Sequence, residues 1–411
     1  MQTTLLATSR ERGSDGVRLG RSNLVLLGAL LIGFNCVAFV LVQLGNSSLQ
    51  KGDFKMFYSA AIALRSGHAG ELYSQEFHAS RQRLMVPLLS PEDVKVYTHP
   101  PYELLVLLPL SLLPYKAACY CWLAITVLLA VFCGRLLAGY LAVLGLFPLL
   151  ATLLQQQDSV LVLLIVIGCW SFLRKGEDAS AGFLLGIALF RFQIVIPLAL
   201  LLMFWKPRLT KGFVLSATLV SLVSLAMVGP AGLRSYMSYV SGMARESVAS
   251  VNEHYKMDPR TNPTVRGLVY EFTSLGRESL SLPAASLVAV SLGILDMLCV
   301  FFGWRFMRGD AAAELKFAFA ILLAILLSFH LLMHDLVLLA LPFVLLRGLR
   351  ARWLLIPFYV APLVYWFYPH SQVWLALLLV CCCGLIVFDE SKPGLTVAEE
   401  VHLGGSGKST S

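Results

Sequence analysis

Leu24-Val25-Leu26-Leu27-Gly28-Ala29-Leu30-Leu31-Ile32-Gly33-Phe34-Asn35-Cys36-Val37-Ala38-Phe39-Val40-Leu41-Val42-Gln43 carries no charge over 20 residues. At about 1.5 Å per residue, a helix of that length crosses the ~30 Å hydrocarbon core of a bilayer. The run is too long for the apolar stretch of a cleavable signal. Residues 1–23 ahead of it are polar and hold Arg10, Arg12, Arg18 and Arg21. It therefore reads as a first transmembrane helix behind a cytoplasmic leader.

The rest of the chain repeats this pattern. Apolar runs recur at about 115–139, 141–155, 159–173, 180–192, 194–205, 212–229, 283–304, 316–330, 335–347, 353–367 and 373–388. Hydrophobic residues make up 58% of the 411 and charged ones only 14%, with a mean hydropathy of +0.76. Such a chain cannot cover itself with a polar surface, which excludes a soluble globular domain, a disordered chain and a coiled coil. The fold class is an all-α polytopic membrane protein of about twelve transmembrane or half-depth helices. The runs 180–192 and 194–205 are short for a full crossing, as broken helices lining a cavity would be. The 9 cysteines lie in or beside apolar runs without C-x-x-C spacing, so they read as apolar fillers rather than disulfides or metal ligands.

Orientation follows from the short loops. Alternate ones carry Arg135, then Arg174 and Lys175, then Lys206, Arg208 and Lys211, then Arg305, Arg308 and Lys316, then Arg347, Arg350 and Arg352. The intervening short loops, 155–158, 331–334 and 368–372, carry no Lys or Arg. By the positive-inside rule both termini, including the Gly-rich tail 389–411, are cytoplasmic. Two long stretches, 44–101 and 230–282, then form outer loops of one membrane domain, 24–388. Seven of the 8 histidines fall on or beside that face. The net charge of +8 is divided by side and implies no nucleic-acid partner. Few charges lie within the runs, Asp296 being one; a transporter would concentrate them at the bilayer midplane.

The first outer loop opens with Lys51-Gly52-Asp53-Phe54-Lys55-Met56-Phe57-Tyr58. Asp53 precedes apolar residues on helical spacing, which fits a helix N-cap, and equally a carboxylate held at the membrane surface beside Lys51 and Lys55. Further on, His99-Pro100-Pro101 is a helix start. Gln155-Gln156-Gln157-Asp158-Ser159 is more polar than a membrane-edge turn requires, so it reads either as a solvated turn or as a cluster facing a cavity. In the second outer loop, Met257 to Thr264 is turn-rich, and it is either a solvated face or a site wall. His334 and Asp335 are neighbours that would not face each other on a helix, and Asp335 also suits a cap.

In this order the segments resemble the GT-C superfamily of glycosyltransferases, close to glycosyltransferase family 87. The resemblance rests on Asp53 through Tyr58-Ser59-Ala60-Ala61, on Gly67 to Tyr73, and on His99-Pro100-Pro101 where the family has Tyr-Pro-Pro. It continues with Gln156-Gln157-Asp158-Ser159 for a Gly-Gln-x-Asn turn, Arg191-Phe192-Gln193 for a Lys-Pro element, and Ser328-Phe329-His330 with Asp335-Leu336. It covers most of residues 50–345, and the order of the motifs carries it rather than any single one.

The resemblance implies a GT-C-like bundle and an inverting enzyme. Such an enzyme moves a hexose, with mannose expected, from a polyprenyl-monophosphate donor to a lipid or glycan acceptor on the outer face of the bacterial inner membrane. Inversion needs one base and cations for the leaving phosphate. Asp53 is the expected base. Lys51, Lys55, Arg191, Arg260 and Arg266 are expected at the donor phosphate, where Arg suits bidentate contact. Tyr58, His99, Gln157, Asn262, His330 and Asp335 are expected at the substrates. Asp53 has no spaced acidic partner, so no metal is expected, nor any other cofactor. Two other readings stay open: a lipid-linked-oligosaccharide ligase or polymerase, and a transporter or flippase using Asp296.

Overall fold

The computed structural model describes residues 21–45, 52–87, 89–249, 259–274, 282–347, 349–360 and 372–390, and every regular element among them is helical. Lys51, residues 1–20 of the expected leader and residues 391–411 of the tail lie outside the described residues. Among the described residues, four stretches are long and apolar enough to cross a membrane: Tyr115–Leu136, Asp178–Trp205, Leu209–Ser241 and Ser286–Arg308. Five shorter apolar helices, of 10–17 residues, accompany them. The nine cysteines are all free.

In chain order, α1 (Arg21–Gly45) is followed by two helices of the first long loop, α2 (Phe54–Arg65) and α3 (Gln75–Met85). A 3-10 turn, Pro101–Glu103, leads into α4 (Leu104–Leu107) and α5 (Tyr115–Leu136). The run expected at 141–155 is two short helices, α6 (Tyr140–Leu144) and α7 (Phe147–Gln155), and α8 (Ser159–Arg174) follows. The suspected break near residue 193 is real. α9 (Asp178–Ile187) and α10 (Phe192–Trp205) are joined by a 3-10 turn, Ala188–Arg191.

α11 (Leu209–Ala249) corrects an expectation. The run 212–229 was expected to end at Gly229-Pro230, but helix resumes beyond it and takes up the start of the second loop. Gly229 is non-helical at φ 67° and Pro230 opens the second segment, a position where its missing N–H costs nothing. After α12 (Val265–Ser274) come α13 (Leu282–Arg308) and α14 (Ala313–Leu327). The run 335–347 is a 3-10 segment, Met333–Leu339, continued by α15 (Ala340–Leu345). The run at 353–367 begins as a 3-10 helix, Arg350–Leu355, and α16 (Pro357–Val360); its remainder lies outside the described residues. The last helix is α17 (Gln372–Glu390).

Packing follows from residue size. α9 crosses α11 at Gly182, Gly186 and Gly212. A Cβ on Gly212 would fall 1.8 Å from the Ala179 carbonyl oxygen, and one on Gly182 2.0 Å from that of Leu209. Small residues permit this backbone approach where lipid supplies no hydrophobic drive. α14 is buried from Lys316 to Leu326 and forms the centre. α13 is its opposite: only 11% of its crossing window is buried, leaving Leu287, Val290, Met297 and Phe301 exposed to the surroundings. A second apolar cluster, built on Phe54, Phe57, Tyr97 and Trp122, packs α2 against the Tyr97–Leu110 segment and α5. That packing fixes where Asp53 stands.

Candidate functional site

The site grows from two chain turns that dock on each other. α7 ends with Gln156 in the left-handed region (φ 56°, ψ 43°), a reversal that places Gln157, Asp158 and Ser159 side by side. Trp122 of α5 holds the turn by donating its Nε1–H to the Gln156 carbonyl at 2.9 Å. The second turn, Gly52-Asp53, meets the first through the Asp53 N–H, which donates to the Gln155 carbonyl at 2.8 Å. Gly52 permits this contact, since a Cβ there would lie 3.3 Å from the Leu154 and Gln155 carbonyl oxygens.

Asp53 stands at the start of α2, but its carboxylate makes no cap bond to the helix. It reaches across to Gln157, whose Nε2 donates to Asp53 Oδ2 at 2.6 Å. The other end of that amide, Oε1, accepts from Arg191 Nη2 at 2.5 Å. Arg191 lies in the 3-10 break between α9 and α10, a buried position where helix interruption aims a side chain into the bundle. Its guanidinium binds Asp158 through both Nε, at 2.9 Å, and Nη2, and stands 3.4 Å from Asp335 Oδ1. Asp335 in turn accepts from Ser159 Oγ at 2.8 Å and from the Leu332 N–H at 3.2 Å. It thus caps its own 3-10 segment and also serves the cluster. Burial pushes the Asp158 pKa up, but Arg191 and then His99 outweigh it and hold the carboxyl well below its ordinary value.

His99 borders the cluster, its Nδ1 2.7 Å from Glu103 Oε2 and 3.7 Å from Asp158 Oδ2. Tyr97 donates its hydroxyl to the same Glu103 oxygen at 3.0 Å. Burial, with Arg191 nearby, lowers the His99 pKa to about 4, so its ring is neutral. His334 donates from Nδ1 to Gln155 Oε1 at 2.6 Å, while its Nε2 lies 3.6 Å from Asp335 Oδ2. Neighbours expected not to face each other therefore do, because the Asp335 carboxylate folds back to cap Leu332 and passes the His334 ring.

Asp53, His99, Gln157, Arg191 and Asp335 thus form one assembly. The remaining expected residues sit elsewhere. Lys55 is buried and donates to the Gly52 carbonyl at 3.2 Å; burial lowers its pKa despite Asp53. Tyr58 donates to the Leu113 carbonyl at 2.6 Å and packs on Tyr115, bracing α2. Asn262 Oδ1 accepts from the Leu331 N–H at 3.2 Å, and Arg266 Nη1 donates to the Phe329 carbonyl at 2.9 Å. These two tie the second loop to the segment bearing His330, whose pKa burial lowers to about 4. Arg260 is half-buried in the 3-10 turn Pro259–Thr261 beside them.

Sequence reading did not put Glu103, Asp158, Ser159 or His334 among the site residues. The available signal was polar side chains at the ends of apolar runs, where burial demands a partner. No spacing could supply the partner, since Asp158 meets a residue 33 positions away and Ser159 one 176 positions away.

The profile of glycosyltransferase family 87 matches residues 97–333, more than half of the 411. The match takes in His99, Gln157, Asp158 and Arg191, while Asp53 precedes it and Asp335 follows it. No curated protein and no solved structure matches the chain.

Proposed function

The chain belongs to glycosyltransferase family 87, a GT-C type of enzyme, and from that premise we propose that it moves a hexose, mannose by preference, from a polyprenyl monophosphate to a lipid or glycan acceptor on the outer face of the bacterial inner membrane. Asp53 is the base. It takes the proton of the acceptor hydroxyl as that oxygen bonds to the anomeric carbon, and the bond from that carbon to the phosphate oxygen breaks on the opposite face. The sugar is transferred with inversion and the polyprenyl phosphate leaves with the electron pair.

One observation carries this reading: the Asp53 carboxylate is turned away from its own helix and held by Gln157, at 2.6 Å, against the Arg191 cluster. The Gln157 amide fixes the direction of the carboxylate by a hydrogen bond between two separate chain turns. The carboxylate is also half-buried rather than sealed, so an acceptor can reach it. Arg191 is occupied by Asp158, Gln157 and Asp335, which supports a role in holding the site over one at the phosphate. Arg260 and Arg266, on the loop docked beside His330, are the cations proposed for the phosphate, and His330 and Asn262 line the same wall.

The test uses purified protein in detergent with radiolabelled polyprenyl-phosphate-mannose and a lipid extract of the host, for the native chain and Asp53→Asn in parallel. Transfer of label by the native chain, lost in a folded variant, is the expected result. Equal transfer by both would remove Asp53 from the mechanism. If no polyprenyl-phosphate hexose served as donor, the proposed reaction would fall.

A further inference from the structure

We propose that His99, Glu103 and Asp158 form a binding site for one divalent transition-metal cation. The ligating atoms, His99 Nδ1 and one oxygen from each carboxylate, lie within 4.8 Å of one another. His99 lies just ahead of the 3-10 turn Pro101–Glu103, which ends at Glu103, and Asp158 comes from the turn between α7 and α8. The site would tie these two segments together. It is a positioning element that shares Asp158 with Arg191, and it does not depend on the transferase reading.

Two further observations point to a cation here. Glu103 Oε1 and Asp158 Oδ2 both lack hydrogen-bond partners, although the Glu103 and Asp158 side chains are only 4% and 1% exposed. Buried carboxylate oxygens are almost always satisfied, so these two call for either a shared proton or a bound cation, and the cation is the proposal. Glu103, Asp158 and Asp335 bring three carboxyl groups into one buried cluster with a single guanidinium, Arg191, among the described residues in contact with them. Burial and the neighbouring Asp158 push the Glu103 carboxyl well above its ordinary value, so a dication bound here would take the place of a proton. One imidazole nitrogen and two carboxylates suit Zn2+, Mn2+ or Fe2+ better than Ca2+ or Mg2+, which prefer oxygen alone.

The sequence did not suggest this site, because its members fall in no metal-spacing motif. The nitrogen comes from a departure: His99 stands where the resembling family has Tyr. That makes His99→Tyr a useful variant, since it keeps an aromatic ring while deleting the nitrogen.

The experiment takes the tag-free full chain in detergent, strips it with chelator and dialyses it against Zn2+ or Mn2+. Bound metal is counted by mass spectrometry, and Mn2+ affinity by loss of the free-ion paramagnetic resonance signal. One cation per chain is expected. Affinity should fall about tenfold or more in His99→Tyr and in Glu103→Gln, since tenfold is the scale for losing even a second-shell partner. Asp53→Asn should bind as the native chain does. Size-exclusion chromatography verifies that each variant is folded. Three results would overturn the proposal. One is a native chain that retains no metal. A second is binding indifferent to both substitutions. The third is a Glu103→Gln variant as stable as the native chain without metal, which would mean that Glu103 and Asp158 share a proton instead.

Discussion

Two buried polar networks lie side by side in this molecule and meet at Tyr97, and they are built to different standards. In the first, His78 binds Ser59 Oγ through Nδ1 at 2.7 Å and the Leu72 carbonyl through Nε2 at 2.8 Å. Gln82 closes it, accepting from the Lys95 N–H at 3.0 Å and donating to the Lys95 carbonyl at 2.5 Å. No atom of these three side chains lacks a partner. In the second, around Arg191, Glu103 Oε1, Asp158 Oδ2, His334 Nε2 and the whole Gln156 amide lack partners. A satisfied network rigidifies, whereas an incompletely satisfied one calls for a catalytic role, a bound water or an ion. The first therefore reads as the brace that holds α2 and α3, and the second as the working site.

The largest expected effect would sharpen that contrast at Asp53. Asp53→Asn keeps an acceptor for Gln157 and removes the base, so transfer should fall by about 10²- to 10⁴-fold. Thermal unfolding in detergent should move by no more than about 0.5 kcal/mol. A comparable rate loss from Ser59→Ala in the bracing network would erase the distinction between the two.

Next comes Arg191→Met, which leaves Asp158 and Asp335 buried without their counter-charge. Removing one partner from a buried ion pair destabilises by about 3–5 kcal/mol. A variant that unfolds at the native temperature would show that the cluster does not carry its charges as the geometry requires. In the brace the partners are neutral, so Ser59→Ala should lose only about 1–3 kcal/mol, with transfer per folded molecule unchanged.

The brace also sets a pH dependence. Burial lowers the His78 pKa from 6.5 to about 4. The folded chain then binds fewer protons at this ring than the unfolded chain between those values, so stability rises with pH there. The contribution is complete above pH 6.5 and is lost as pH falls toward 4. Unfolding temperatures measured across that window should fall with acidification in the native chain, and less steeply in His78→Gln. An unchanged slope would mean that the ring is hydrated and the brace open.

How much of this was legible depends on whether a feature is local. The run at 24–43 announces its helix because twenty uncharged and mostly apolar residues leave no alternative. Asp53 could be singled out because it opens an apolar helix. Its orientation could not, since the choice between capping α2 and reaching Gln157 is made by a residue 104 positions away. Helix beyond Gly229-Pro230 was hidden for a local reason. Gly and Pro are both breakers in sequence, and only the backbone shows Pro230 starting a second segment. The crossing of α9 and α11 at Gly182 and Gly212 is likewise a pairing of distant glycines that neither helix displays alone.

The smallest expected effect probes the site's standard of construction at Gln156. This residue adopts a left-handed backbone at φ 56°, and its buried amide has no partner at either end. A residue with a Cβ in that conformation loses about 1–2 kcal/mol, and an unsatisfied buried amide adds to the cost. Glycine, which stands here in the motif this turn resembles, removes both penalties. It keeps the carbonyl that accepts from Trp122. Against this, glycine frees the unfolded chain by about 0.5–1 kcal/mol and leaves a small cavity. Gln156→Gly should therefore raise stability by about 1 kcal/mol in thermal unfolding. If transfer falls while stability rises, the amide contacts substrate, and the unsatisfied network gains a member. If stability falls, the amide is satisfied in solution and one of the differences that separate the two networks disappears.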